Sequence, residues 1–155
     1  MFEVERDPSK VELGLFIAYP SQTVWRALSE PKSHARWLSP TAGFVPVLGA
    51  AFTVQVASVS RPDFELHCHV LEVEPVRRLA YSRVDMRLTP PLRAVVDWQL
   101  EQQGKGTRVL LGISGFDIQD RRQKMSRNWF ERTWSRTVLP KLAEEVERLG
   151  TPPQT

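Results

Sequence analysis

The sequence predicts an α+β domain in which an antiparallel sheet of about six or seven strands is covered by a long C-terminal helix. Three observations lead to this prediction. Apolar and polar residues alternate over several short runs, as strands with one buried face require. Glycine and proline separate these runs, so most of the connections are turns. From Gln119 to Leu149 no glycine occurs, and helix-forming residues dominate.

The composition is that of one ordinary globular domain. Of 155 residues, 41% are hydrophobic and 25% are charged. The net charge of +3 is a weak basic excess, which does not predict a nucleic-acid-binding surface. No apolar run reaches the roughly 18 residues of a membrane span, and the acidic N-terminus does not resemble a signal peptide. We therefore expect a cytoplasmic protein without a membrane span, either a monomer or a weak dimer.

The first strand and two short helices are predicted in the N-terminal quarter of the chain. Residues Val11–Tyr19 alternate with period two, so one face of this strand should point to the core. Ser21 follows a proline and is predicted to cap the first short helix. Pro31 opens the second, because proline is tolerated at a first helical position. The predicted short helices are Gln22–Leu28 and Lys32–Trp37.

Six further strands are predicted between these helices and the long helix. Each run is bounded by glycine, proline or aspartate. The runs are Gly43–Leu48, Phe52–Val59, Phe64–Val73, Arg78–Val84, Ala94–Glu101 and Thr107–Ile113. The segment Gln103–Gly106 contains two glycines and predicts a tight hairpin turn. Strands joined by hairpins form an antiparallel sheet, which can bury one face and leave the other in water.

The long helix is predicted from about Gln119 to Leu149, with an irregularity at Pro140. Proline lacks the amide hydrogen that would bond the carbonyl of Arg136, so a kink is expected there. The two halves should therefore face different surfaces. An apolar stripe at helical spacing marks the second half; its members are Val138, Leu139, Leu142, Val146 and Leu149. We predict a single domain over residues 10–149, with flexible termini at 1–9 and 150–155.

Several motifs along the chain resemble those of a known superfamily. They are Ile17–Leu28, Trp37-Leu38, Val70–Pro75, Arg78–Tyr81, Val96–Glu101, Gly106–Val109 and Ser114–Phe116. Their order and spacing resemble the START-like (SRPBCC, helix-grip) superfamily. The branch most similar is the one named after the activator of the heat-shock-protein-90 ATPase. The resemblance spans nearly the whole chain, about residues 10–149.

This resemblance implies a curved antiparallel sheet that grips the C-terminal helix and encloses a cavity. Members of the superfamily use the cavity for lipids, sterols, polyketides or other apolar molecules. Some members are cyclases or hydrolases, and others are chaperone cofactors. A shared fold does not decide among these functions.

Aromatic residues of the strands and of the early long helix form the first candidate site. If the sheet grips the helix, they would form an apolar wall around a ligand. The residues of this predicted wall are Phe52, Tyr81, Trp98, Met125, Trp129 and Phe130. The alternative is that the rings only fill the core. Arg122 and Arg127 are the candidate contacts for an acidic group of the ligand, and the alternative is that they lie on a solvated face.

Metal binding and catalysis have weaker support in the sequence. His67 and His69 share one face of a predicted strand, but a zinc site needs further ligands, so we expect two exposed histidines. Cys68 should be a buried thiol, and a single cysteine suits a reducing compartment. There is no nucleophile-elbow motif and no phosphate-binding glycine loop. We predict no catalytic residue, no metal and no cofactor.

The sequence leaves three functional hypotheses. The first is binding of a small apolar or amphipathic molecule between the sheet and the long helix. The second is a chaperone cofactor or other protein-interaction module, with the basic start of the long helix as its contact surface. The third is an enzyme resembling polyketide cyclases, which would need an acid or base inside the cavity.

Overall fold

A computed structural model describes residues 7–38, 40–56 and 64–150. Its strands form one curved sheet in which every neighbouring pair is antiparallel, in the order β1-β7-β6-β5-β4-β3-β2. The strands are β1 Val11–Ile17, β2 Thr41–Ala42, β3 Ala51–Val56, β4 Phe64–Glu74, β5 Arg78–Asp85, β6 Leu92–Gln103 and β7 Gly106–Ser114. The helices are α1 Ser21–Ser29, α2 Pro31–Trp37, α3 Arg121–Thr133 and α4 Leu139–Gly150. The predicted α+β class and order of elements are confirmed.

The core lies between one face of the sheet and the helices. Strand β6 shows how the alternation builds it, because every second residue from Leu92 to Leu100 is buried under the helices. Helix α4 packs against α1 and α2 through Leu142 and Val146, both fully buried. Within the described residues, no helix is long and apolar enough to cross a membrane.

The strand predicted at Gly43–Leu48 is wrong. Only Thr41–Ala42 pairs with β3, and the residues that follow form a loop. Pro46 offers no amide hydrogen to a ladder. Phe44 is buried, but Val45, Val47 and Leu48 are exposed, so the segment does not have the alternating burial of a strand. The next predicted strand, Phe52–Val59, is described as far as Val56, and residues 57–63 lie outside the described part of the chain.

The predicted capping role of Ser21 is also wrong. Ser21 is the first residue of α1, and no side chain caps this helix. Its hydroxyl is buried 3.0 Å from the hydroxyl of Thr107 on β7, and its backbone N–H donates to the side chain of Gln102 at 2.8 Å. The sheet therefore supplies the acceptor that a capping side chain would otherwise provide.

The irregularity predicted at Pro140 takes the form of a π-helical turn just before it. This turn, Trp134–Val138, joins α3 to α4, and the N–H of Leu139 donates to the carbonyl of Trp134. The longer hydrogen-bond spacing accommodates the missing amide hydrogen of Pro140 without ending the helix. The two halves face different partners, since α4 packs on α1 and α2 while Phe130 of α3 lies over the sheet.

Candidate functional site

A cleft separates the sheet from α3 and the π-helical turn. A cavity of about 500 Å³ lies between strands β3 to β6 and α3, and a second of about 160 Å³ continues under the π-helical turn. Val56, Arg83 and Trp129 line both cavities, so we treat them as one cleft. The larger volume is within the range of small-molecule sites.

The walls of the cleft are mostly apolar, because the inward-facing positions of the strands carry apolar side chains. Leu66 and Leu92 supply the sheet side of the larger cavity. On the helix side, Met125 is 63% exposed and Trp129 is 45% exposed. Large apolar side chains that line a cavity and remain this exposed are suited to covering a bound apolar molecule.

The residues of the predicted wall divide into two layers. Met125, Trp129 and Phe130 line the larger cavity, and Tyr81 lines the smaller one. Phe52 and Trp98 line neither cavity and are almost completely buried. They support the lining layer from behind: the indole N–H of Trp98 donates to the Tyr81 hydroxyl at 3.3 Å, and the ring of Phe52 meets Tyr81 edge-on, with centroids 5.4 Å apart.

The two arginines predicted as anion contacts lie outside the cleft lining. Arg127 donates to the backbone carbonyl of Lys10 at 2.9 Å and forms an ion pair of 2.7 Å with Glu131, so it ties α3 to the start of β1. Arg122 is exposed in the first turn of α3 and lines neither cavity. Closeness in sequence to the aromatic residues does not determine which way an arginine side chain points, so this signal could not separate lining from non-lining arginines.

Three arginines that the sequence did not predict, Arg83, Arg87 and Arg132, line the larger cavity. Of these, Arg83 also lines the smaller cavity. It follows Leu79 and Tyr81 in the inward-facing row of β5, and this period-two row was a signal that could have identified it. Its guanidinium carbon lies 4.6 Å from the ring centroid of Phe130 and 5.8 Å from that of Trp134. Its Nη1 is buried and has no hydrogen-bond partner among the described residues.

The environment of Arg83 is unfavourable for a charge. Burial lowers the pKa of its guanidinium, although arginine stays protonated in proteins. The two aromatic rings stabilise the cation in part. Arg83 forms no ion pair among the described residues, so its guanidinium is a candidate contact for an anion in the cleft.

Asp85 is the carboxylate among the described residues that line the cleft. Both of its oxygens accept hydrogen bonds from the Arg87 side chain, at 3.0 and 2.7 Å. Burial alone would raise the pKa of Asp85, but the hydrogen bonds from Arg87 outweigh it and hold this pKa below its ordinary value. Asp85 is therefore charged and already paired, which does not suit a general acid or base.

His34 is a buried imidazole behind the cleft. Neither ring nitrogen has a hydrogen-bond partner among the described residues, and burial lowers the pKa of His34 to about 3. Its ring stacks on Phe44 with centroids 4.2 Å apart and meets Trp37 and Tyr81 edge-on. The histidine is therefore neutral at ordinary pH and acts as one more ring of the aromatic core.

The segment His67-Cys68-His69 lies on β4 as predicted. Both histidines are exposed, and Cys68 is buried on the opposite face, where burial raises the pKa of its thiol to about 12. Within the described part of the chain, no three histidine, cysteine or acidic side chains lie close enough together to hold a metal ion.

Comparison with known proteins gives one family. The family described as "Activator of Hsp90 ATPase homolog 1-like protein" matches residues 18–147, which is most of the chain. No curated protein matches the sequence.

Solved structures with the same fold cover nearly the whole chain. Protein MLL2253 from Mesorhizobium loti is 29% identical, with a TM-score of 0.72 over 90% of this chain and 95% of its own. The Aha1 dimer from Colwellia psychrerythraea is 13% identical, with a TM-score of 0.72 over 92% of this chain and 98% of its own. DynU16, a putative protein in the dynemicin biosynthetic locus, is 20% identical, with a TM-score of 0.69 over 90% of this chain and 47% of its own.

Proposed function

Because this chain belongs to the family of Activator of Hsp90 ATPase homolog 1-like proteins and carries an apolar cleft between its sheet and C-terminal helix, we propose that it binds a small apolar or amphipathic molecule there. The observation that carries the proposal is the cleft itself, with a volume of about 500 Å³ and an apolar lining. Pockets of this size and character are typical of small-molecule sites.

The half-exposed Trp129 adds a second argument. Covering apolar surface stabilises a complex by about 25 cal/mol for each Å² removed from water, and a tryptophan offers a large flat surface. Trp129 lines both cavities, so a ligand in either one would contact its ring. Met125 beside it has a flexible side chain that can adapt to different apolar shapes.

Titration with a neutral fluorescent probe, N-phenyl-1-naphthylamine, tests this proposal. The wild-type chain should bind the probe, and Trp129→Ala should weaken binding several-fold because it removes the ring common to both cavities. Ser126→Phe should also weaken binding, since Ser126 lines the larger cavity and a phenyl ring would fill it. Met86→Ala is the matched control, because Met86 is exposed and apolar but lines neither cavity.

The proposal fails if the wild-type chain does not bind the probe. It also fails if Trp129→Ala and Ser126→Phe bind the probe as tightly as wild type does, since the probe would then occupy another surface.

A role as a chaperone cofactor is the second candidate. The family description names an activator of the Hsp90 ATPase, and the Colwellia Aha1 dimer has the same fold. The exposed cations Arg121, Arg122 and Lys124 at the start of α3 would contact an acidic partner surface. The test is the ATPase rate of an Hsp90-type chaperone with and without this chain, using Arg121→Glu/Arg122→Glu as the variant. Stimulation that the variant loses supports this function, and an unchanged rate excludes it.

A further inference from the structure

The inward-facing row of β5 places two charged side chains, Arg83 and Asp85, in the lining of the cleft. Arg83 pairs in register with Cys68 on β4 and with Ala94 on β6, and both of these neighbours are small. Small side chains on either side leave room above the sheet, and the guanidinium lies in that space. Arg83 lines both cavities, so it marks the place where they meet.

The nearby charges compensate Arg83 only in part, because Asp85 attracts the guanidinium through space and Arg87 repels it. Asp85 lies on the same face of β5, but its two oxygens accept hydrogen bonds from Arg87, whose guanidinium in turn lies 3.3 Å from the Phe64 ring centroid. No ion pair between Arg83 and another described residue is formed. A buried cation that forms no ion pair is destabilising unless something else in the site compensates it.

We propose that Arg83 binds the carboxylate of the molecule held in the cleft, so that the cleft selects small monocarboxylic acids with an apolar body. This inference rests on the proposed function of the cleft and adds the chemical class of its ligand. A guanidinium presents a planar pair of N–H donors that matches the two oxygens of a carboxylate, and this charged contact is stronger than a neutral hydrogen bond. The apolar body of the acid then contacts Phe130, Trp129 and Leu66 along the walls.

Arg83 is the one cation among the described lining residues that is partly buried and forms no ion pair, and this favours a monoanion. One guanidinium balances one negative charge, whereas a dianionic phosphate monoester would bring a second charge into an apolar lining that includes Leu92 and Phe130. Arg132 also lines the larger cavity, but it is exposed to solvent, where salt screens its charge.

The test compares three ligands with the same alkyl chain: octanoate, 1-octanol and octyl phosphate. The affinity of each ligand is measured at pH 7 by displacement of N-phenyl-1-naphthylamine from wild type and from Arg83→Met. Octanoate should bind Arg83→Met about tenfold to hundredfold more weakly than wild type, as expected for the loss of a charged hydrogen bond. The affinity of 1-octanol should be the same for both proteins, and wild type should prefer octanoate over octyl phosphate.

Two further variants make the result specific. Arg122→Met removes an exposed arginine of α3 that lines neither cavity, so it should leave octanoate affinity unchanged. Arg83→Lys keeps the charge but loses the planar fork, so its octanoate affinity should lie between those of wild type and Arg83→Met. Binding of the neutral probe by each variant shows that the cleft is intact.

Three results would overturn the inference. The first is equal octanoate affinity in wild type and Arg83→Met while both proteins bind the probe. This result would contradict the role of Arg83 but would not contradict the proposed function of the cleft. The second is tighter binding of octyl phosphate than of octanoate, which contradicts the monoanion. The third is that neither the probe nor 1-octanol binds wild type, in which case the proposed function of the cleft fails and this inference fails with it.

Discussion

The guanidinium carbon of Arg83 lies 4.6 Å from the centroid of the Phe130 ring, so a charge on a central strand is covered by an aromatic side chain of α3. This contact joins the sheet to the C-terminal helix across the cleft. Arg83 lines both cavities, and its Nη1 is buried and unpaired among the described residues. The energetic consequence is that Arg83 should contribute little to folding.

Replacing Arg83 with methionine should leave the thermal stability of the ligand-free protein unchanged or raise it. The substitution removes a desolvated charge whose burial costs several kcal/mol, and it keeps an apolar stem of similar length. The cation–π contacts that are lost contribute about 0.5–2 kcal/mol. The melting temperature at pH 7 measures the effect. Leu66→Ala on the same wall is the comparison, because a cavity in a packed core costs about 2–5 kcal/mol.

A structural role for Arg83 would give the opposite result. If Arg83→Met lowers the melting temperature as much as Leu66→Ala does, the arginine stabilises the fold. The burial of its charge would then give no reason to expect that it binds a ligand.

The hydrogen bond between Trp98 and Tyr81 should stabilise the core behind the cleft. Tyr81→Phe removes the acceptor and leaves a buried indole N–H unpaired, which costs about 1–3 kcal/mol of unfolding free energy. Urea unfolding of Tyr81→Phe, Trp98→Phe and the double variant isolates the coupling between the two side chains. A coupling energy near zero would show that this 3.3 Å contact adds nothing beyond packing.

His34 should make the protein less stable as the pH falls below 6.5. Burial lowers its pKa to about 3, against about 6.5 for an unfolded histidine. Between these values the unfolded chain takes up a proton that the folded chain does not, so the unfolding free energy falls with pH, by up to about 1.4 kcal/mol per unit. His34→Phe, which keeps a ring against Phe44, should lose less stability between pH 7 and pH 5.

His69→Gln is the control variant for this measurement, because His69 is exposed whereas His34 is buried. Identical slopes for wild type and His34→Phe would mean that His34 takes up its proton over the same pH range in the folded and the unfolded chain, which contradicts a pKa lowered by burial.

Replacing Val76 with glycine should stabilise the protein. It lies in the turn between β4 and β5 with a φ of 69°, and the turn is closed by a hydrogen bond of 2.9 Å from the N–H of Arg77 to the carbonyl of Glu74. A β-branched residue is strained at positive φ, whereas glycine is not. We expect Val76→Gly to raise the unfolding free energy by about 1 kcal/mol, as measured in urea. Val76→Ala keeps the β-carbon, so its unfolding free energy should rise less. A lower unfolding free energy for Val76→Gly than for wild type would contradict backbone strain at this position.

The elements that the sequence predicted correctly are those in which local pattern and tertiary burial agree. The alternation in β6 and the glycines of the β6–β7 turn are local features, and the structure confirms them. The strand predicted at Gly43–Leu48 was wrong although Phe44 is buried, because Val45, Val47 and Leu48 are exposed. The predicted capping role of Ser21 was wrong because its hydroxyl partner, Thr107, lies on a strand distant in sequence, which no local pattern identifies.

The candidate site was harder to predict, because inward-facing residues of one sheet are alike in sequence. Tyr81 lines the cleft while Trp98 lies behind it, and only the path of the helices over the sheet separates the two. Arg122 was chosen for its closeness in sequence to Trp129, but the helix directs it away from the cleft. Arg83 was overlooked although Leu79 and Tyr81 share its row, because a charged residue in a strand is more often exposed.

The most direct test of ligand binding at Arg83 uses the tryptophans of the chain as probes. The chain has five of them. Trp129 lines both cavities, and Trp37 and Trp134 line the smaller one, whereas Trp25 on α1 lines neither. Indole N–H resonances of ¹⁵N-labelled protein, assigned with single Trp→Phe variants, are followed during titration with octanoate. We predict saturable shifts of Trp129 and Trp134 with Trp25 unmoved, and loss of these shifts in Arg83→Met. Unmoved cleft tryptophans, or the same shifts in wild type and Arg83→Met, would contradict binding at Arg83.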